Sequence, residues 1–224
     1  MIEAYLMHEK ERNAQGIPAL PLTPEQTTGL CELLQKPPAG KEEFLMNLFT
    51  ERVSPGVDPA AEVKAGFLAE ILTSAKSSPL IDKKRSVQIL GTMIGGYNVQ
   101  PLIGALSDSA LADEAAAALS GMTYVYDAAD QVIELSKSNA AAKKVVESWA
   151  AAEWFTNKPV LDEIIKVKVF KVEGEINTDD FSPAGDAWSR PDIPLHALAM
   201  GKTRFPGGIE EIAKWRAEGH QVAF

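Results

Sequence analysis

Cysteine occurs once in these 224 residues, at Cys31, so no disulfide can close within the chain and a reducing compartment is expected. Long apolar runs are missing too. No stretch approaches the roughly 18 consecutive apolar residues that suggest a membrane span. The opening MIEAYLMHEKERN is charged and amphipathic, without the apolar centre of a signal peptide. Basic side chains are in deficit, 22 against 31 acidic ones, which leaves a formal net charge of -9. Counterion release on DNA or RNA therefore contributes little, and no lysine- or arginine-rich run supplies a local patch. The three histidines, His8, His196 and His220, have no mutual spacing that suggests a metal site or a catalytic triad. These absences point to a cytoplasmic protein with neither membrane nor nucleic acid as partner. Apolar residues are plentiful at 46%, enough to offset the ordering entropy of a folded chain, so disorder is not expected.

What is present over residues 1–157 is a succession of short helices. Ile2, Tyr5 and Leu6 make a weak apolar stripe in the first. TPEQTTGLCELL starts a clearer one, with Thr23 as N-cap, Pro24 at the first helical position and Gln26 completing a capping box. PPAG stops it, and KEEFLMNLFT opens the next with Phe44, Leu45, Leu48 and Phe49 on one face. Asp58 and Pro59 again give a cap followed by proline, ahead of a helix running to Thr73. Further helices are expected in DKKRSVQIL, NVQPLIGALSD, SALADEAAAALS, MTYVYDAADQVIELSK and NAAAKKVVESWAAAEWF. Brief connections between such helices favour antiparallel hairpins. GGYNVQPLIGALSDSALADEAAAALSG resembles one HEAT-type pair, and the region reads as an irregular α-solenoid of repeats about 40 residues long.

The pattern changes at NKPV, and residues 158–224 read as an α/β domain that is only partly there. IIKVKVFKVEGEI alternates Ile165, Val167 and Val169 against Lys166 and Lys168. Phe170 and Val172 then take over the apolar phase, which predicts a bulge or a strand buried on both faces. IEEIAKWRAEG reads as a helix with Ile209, Ile212 and Ala213 inward, closed by Gly219. HQVAF looks like the first half of a strand, so the sequence reads as truncated or as completed by a partner.

Between these elements lies NTDDFSPAGDAWSRPDIPLHALAM, dense in turn formers and holding Arg190 immediately before Pro191. The stretch EGEINTDDFSPAGDAWSRPDIPLHALAM closely resembles the start of the swivelling domain of the bacterial aconitase B family. PPAGKEEFLMNLFTERVSPGVD, VKAGFL, LGTMIGGYNVQPLI and SWAAAEWFTNKPVL are similar to the same family's N-terminal region. The resemblance implies a HEAT-like solenoid (1–157) followed by the N-terminal part of the swivelling domain (158–224). It also implies membership of an enzyme of the tricarboxylic acid cycle, a hydro-lyase converting citrate to isocitrate through cis-aconitate with a 4Fe–4S cluster. In that family the arginine of the TDD, SPA and DAWSRP motif binds a substrate carboxylate, and it falls here on Arg190.

Physical chemistry suits the assignment. A guanidinium offers parallel donors matched to a carboxylate and keeps its charge at any relevant pH. Ser182, Pro183, Gly185 and Pro191 restrict the loop, which limits how far Arg190 wanders. Thr178, Asp179, Asp180 and Ser182 are expected to support the loop, the aspartates by capping backbone N–H groups, since carboxylates would repel an anionic substrate. Two adjacent aspartates are too few for a hard-metal site. The family's cluster takes three thiolates, and one cysteine does not meet that number, so no cluster and no catalytic residue is expected in this chain, and the chain alone is expected to be inactive. Cys31 reads as a small core residue. GGYN reads as a bend between helices, not a phosphate cradle, and Trp149 and Trp154 as core or interface anchors on a shared helical edge. RNA binding follows from family analogy alone and gains nothing from the acidic charge. The alternative reading is a non-catalytic solenoid acting as an interaction or dimerisation module, and the resemblance implies a homodimer through the helical domain.

Overall fold

A computed structural model describes residues 1–187 and 196–223. Two compact units divide it: Leu22–Lys158 with Met1, and Ile2–Pro21 with Pro159–Phe224. Among the described residues no helix is long and apolar enough to cross a membrane.

The first unit is all helix: α2 (Pro24–Gln35), α3 (Glu42–Glu51), α4 (Pro59–Leu72), α5 (Lys83–Thr92), α6 (Val99–Ala105), α7 (Ala112–Ser120), α8 (Ala128–Ser136), α9 (Ala140–Ala150) and α10 (Glu153–Thr156). Helices α2, α4, α5, α7 and α9 pack each on the next in a row, while α3, α6 and α8 lie against that row. The result is the stacked-helix solenoid expected from the sequence. Leu30, Leu48, Phe49, Leu68, Leu90 and Leu119 fill its core. Small residues set the spacing: a Cβ on Gly91 of α5 would come within 3.0 Å of the Ala118 Cβ on α7.

Local chemistry explains where the helices start. Thr23 and Gln26 form the reciprocal capping box, with Gln26 N–H donating to Thr23 Oγ1 and Thr23 N–H to Gln26 Oε1. Asp58 accepts from Ala60 N–H and Asp82 from Arg85 N–H. Asn139 caps α9 through Ala142 N–H while its amide donates to Leu106 O, tying two hairpins together. At the GGYN bend, buried Asn98 donates from Nδ2 to both Leu90 O and Met93 O, 2.8 Å each, and so closes the end of α5. Gly95 there has φ of 95°, and a side chain would run into the Gly56 backbone.

Three helix boundaries differ from expectation. MTYVYD is not helical, and α8 begins only at Ala128. Aromatic and β-branched residues are poor helix formers, and Tyr126 sits at φ of 40°. α7 starts at Ala112 because Asp108 accepts from Ala110 N–H and holds the preceding residues as a turn. The expected helix over 139–155 breaks at Ala152, where φ is 51° and Ser148 Oγ donates to Glu153 Oε2 across the bend. Trp149 and Trp154 therefore do not share one helical edge. Trp149 is half-buried and donates to Leu119 O at 2.9 Å, whereas Trp154 is exposed beside Phe155.

In the second unit, α1 (Ile2–Asn13) buries Tyr5 and leaves Leu6 partly exposed. His8 Nε2 accepts from Leu20 N–H, and Arg12 Nε donates to Pro18 O, so residues 18–20 fold back on the helix. Two strands, β1 (Lys168–Val169) and β2 (Val222–Ala223), pair in parallel with Lys168 opposite Val222. Between them run α11 (Thr178–Phe181), α12 (Ala184–Ala187) and α13 (Gly208–Ala217). This is a small, open α/β arrangement.

The long strand expected over 164–176 shrinks to those two residues. A ladder extends only as far as its partner, and among the described residues β2 offers two. Nor is it buried on both faces: Ile165, Val167 and Val169 are all exposed. On α13, Ile212 is buried as read, but Ala213 is exposed, and half-buried Trp215 packs against Phe170 instead.

Candidate functional site

An aromatic floor lies by the described start of the turn-rich stretch. Phe170 lies 5.7 Å from Phe205 and 5.8 Å from Trp215, and Phe181 lies 6.0 Å from Phe205, measured between ring centres. Lys168 Nζ stands 4.0 Å over the Trp215 ring. Gly201, at φ of 68°, faces the Phe205 ring so closely that a Cβ would overlap it. Arg204 donates from Nη2 to Glu173 O and Glu175 O, which fixes the chain leading into the stretch.

From that floor α11 projects as a single capped turn. Asn177 Oδ1 accepts from Asp179 N–H at 2.9 Å and from Asp180 N–H at 3.2 Å, and Asp180 Oδ2 accepts in return from Asn177 N–H at 3.0 Å. Thr178 O accepts from Ser182 N–H at 2.7 Å. Asp179 enters through its backbone, and its side chain has no role in that network.

Besides Arg204 and the Phe205 ring contacts, three more links join the residues before 188–195 to those after. Gly201 N–H donates to Asp180 O at 2.8 Å. Ser182 Oγ and His196 Nε2 are 2.9 Å apart. Asp186, buried, pairs with Lys202 Nζ at 2.7 Å. A buried, paired carboxylate of this kind fixes geometry more than it stabilises. The described flanks are thus held as one base, while Arg190 and Pro191 themselves lie outside the described residues.

Thr178, Asp179, Asp180 and Ser182 all fall in this base. Sequence reasoning missed Asn177, His196, Asp186 and Lys202. Asn177 was legible as the N-cap of an Asn-x-x-Asp pattern. The partners of Ser182 and Asp186 were not, since both lie more than ten residues away along the chain.

Cysteine chemistry lies elsewhere. Cys31 is buried in α2, and burial pushes its thiol up to about 12. Such a thiol stays protonated at neutral pH, as a small apolar core residue does. Among the described residues no group of three or more His, Cys, Asp or Glu could hold a metal ion.

Comparison with known proteins covers both units. Residues 4–155 match the profile of the Aconitate B N-terminal domain, and residues 167–224 match that of the Aconitate hydratase 2 N-terminus. The whole chain is 53% identical, over 235 residues, to the Aconitate hydratase B of Pseudomonas aeruginosa, and 52% identical, over 226, to that of Synechocystis. Against the Escherichia coli relative, 92% of the chain aligns at 56% identity. It spans 27%, 26% and 24% of those three relatives, about a quarter of each. The chain belongs to the aconitate hydratase B family, and the segment it represents is that family's N-terminal one.

Proposed function

We propose that the chain is the N-terminal part of a cytoplasmic hydro-lyase that interconverts citrate and isocitrate, and that Arg190 is its contribution to the substrate site. The observation that carries the reading is the fixed geometry of the described residues on either side of 188–195, in a segment matching the family along its full length. A side chain that must meet a carboxylate in two-point geometry gains from an anchored loop, because less freedom is lost on binding.

A 4Fe–4S cluster held by three thiolates does not fit this chain, which has one cysteine, buried and protonated. The cluster and the proton-transfer residue fall to the remaining three quarters of the enzyme. In this reading the chain binds and orients; the bond-breaking steps are made by polypeptide outside it.

Two experiments test the proposal. Mixing the chain with the separately produced remainder is expected to restore conversion of citrate to isocitrate. In the intact enzyme, Arg190→Ala removes two charge-assisted hydrogen bonds of about 1.5–3 kcal/mol each, a loss of about 100-fold or more in kcat/KM. Arg190→Lys, which keeps the charge but not the fork, is expected to recover only part. Activity of Arg190→Ala within about threefold of normal contradicts the assignment, since even one such bond is worth more.

A further inference from the structure

Helix α4 carries one side chain that its surroundings do not suit. Lys64 is 7% exposed, in a helix face otherwise made of Ala60, Ala61, Phe67, Leu68 and Ile71. Its ammonium lies 5.1 Å from the centre of the Phe49 ring on α3, a contact that replaces only part of the lost hydration. Among the described residues Lys64 Nζ has neither a hydrogen-bond acceptor nor a carboxylate within ion-pair distance. Burial brings its pKa down to about 8, and Glu51 opposes that fall without pairing.

The amine is not sealed in. Lys64 lines a cleft of about 590 Å³ with Thr50, Glu51, Arg85, Gln88 and Thr92, all on α3 or α5. A second cavity of about 110 Å³ shares Lys64, Thr50 and Thr92 and continues toward Val53 and Gly56. Arg85 is exposed at the cleft and donates from Nη1 to Gln88 Oε1 at 3.3 Å, which leaves most of its guanidinium unengaged among the described residues. Thr50 and Thr92 already give their hydroxyl protons to Met46 O and Ile89 O. The donors left for a ligand are therefore the two cations and the Gln88 amide, and Glu51 is the one carboxylate in the lining.

We propose that this cleft is an oxyanion-binding site, in which Lys64 and Arg85 hold a carboxylate or phosphate group of a small metabolite. An ammonium held largely out of water with no acceptor is costly, and an incoming oxyanion supplies the missing partner. Arg85 offers a planar fork to two oxygens and Lys64 a compact charge at depth. With two cations against Glu51, the lining favours a ligand bearing a single oxyanion over a densely charged one. The site does not depend on the reading of Arg190.

The 224-residue chain is titrated with inorganic phosphate and, separately, with acetate at constant low ionic strength, by calorimetry and by the NMR shift of the Lys64 Cε. Saturable binding of at least one probe, with movement of the Lys64 signal, is expected. Phosphate alone assigns a phosphate ligand, acetate alone a carboxylate, and both the shared oxyanion. Lys64→Met is expected to weaken binding about tenfold or more, and Arg85→Gln severalfold, each losing a charge-assisted bond. No saturation below about 20 mM for either probe overturns the proposal, as does unchanged affinity in Lys64→Met. Should Lys64→Met fail to fold, the exposed Arg85→Gln decides alone, and unchanged affinity there also overturns it.

Discussion

Replacing Lys64 by methionine is expected to make the protein more stable, although it removes a charge. The fall of the amine from 10.5 to about 8 corresponds to about 3 kcal/mol by which the fold disfavours the protonated form. At pH 7 the folded amine still carries its proton, so nearly all of that handicap is present. Methionine keeps the unbranched apolar stem and drops the ammonium. About 1 kcal/mol of cation–π attraction to Phe49 is lost in exchange. The net expectation is a gain of about 2 kcal/mol at pH 7, or about 4–8 °C in Tm.

The sign of the pH dependence follows from the same numbers. The unfolded lysine holds its proton more tightly than the folded one, so between about pH 8 and pH 10.5 unfolding takes up a proton and stability rises with pH. Below pH 8 the penalty is nearly constant. Cys31 acts oppositely: its thiol, pushed from 9.0 to about 12, stays protonated in the fold where the unfolded thiol ionises, so it lowers stability above pH 9. The informative comparison is therefore urea unfolding, followed by far-UV circular dichroism, at pH 7 and pH 9. The advantage of Lys64→Met over the parent is expected to shrink by about 1 kcal/mol between the two. A variant less stable than the parent at pH 7, or an advantage equal at both pH values, refutes the account of Lys64 as a desolvated cation.

Two further substitutions test the packing. Asn98→Ala removes the amide donor of the half-buried Met93 O and one of the two donors of Leu90 O, which keeps Met93 N–H, and a loss of about 1–3 kcal/mol is expected in urea unfolding; a midpoint unchanged from the parent contradicts that role. Gly201→Ala forces a side chain into φ of 68° and against the Phe205 ring, so a loss of at least about 2 kcal/mol and altered Trp215 near-UV dichroism are expected. A variant with the parent's spectrum would mean the aromatic floor does not depend on that close approach.

Much of the solenoid was legible because its signals are local. Thr23 with Gln26, and Asp58 with Pro59, announce helix starts within four residues, and those starts are found. The misreadings share a cause. Ala152 breaks a helix inside an alanine-rich run where no glycine or proline stands, held by Ser148 and Glu153. The alternation at Ile165, Val167 and Val169 is a true strand pattern, yet its register is realised over only two residues because pairing is a property of two segments. A periodicity states which face could be buried, not what arrives to bury it.

The same distinction governs the sites. Around the loop, Asp180 was readable because its hydrogen bond to Asn177 closes within three residues, whereas Ser182 needs His196 and Asp186 needs Lys202 from beyond the turn. Lys64 is the instructive case. It occupies an apolar position, four residues after Ala60 and four before Leu68, and so interrupts the buried stripe of α4. A lysine facing a core is ordinarily paired or left outside, and this one is neither. Where binary pattern, polar satisfaction and charge all disagree with the fold at one residue, stability has been given up there, and a binding role is the expectation that accounts for it. The stability gain of Lys64→Met and its loss of oxyanion binding are thus two readings of one fact. A variant that gained stability while binding phosphate as before would separate them, and would leave the buried ammonium without a purpose.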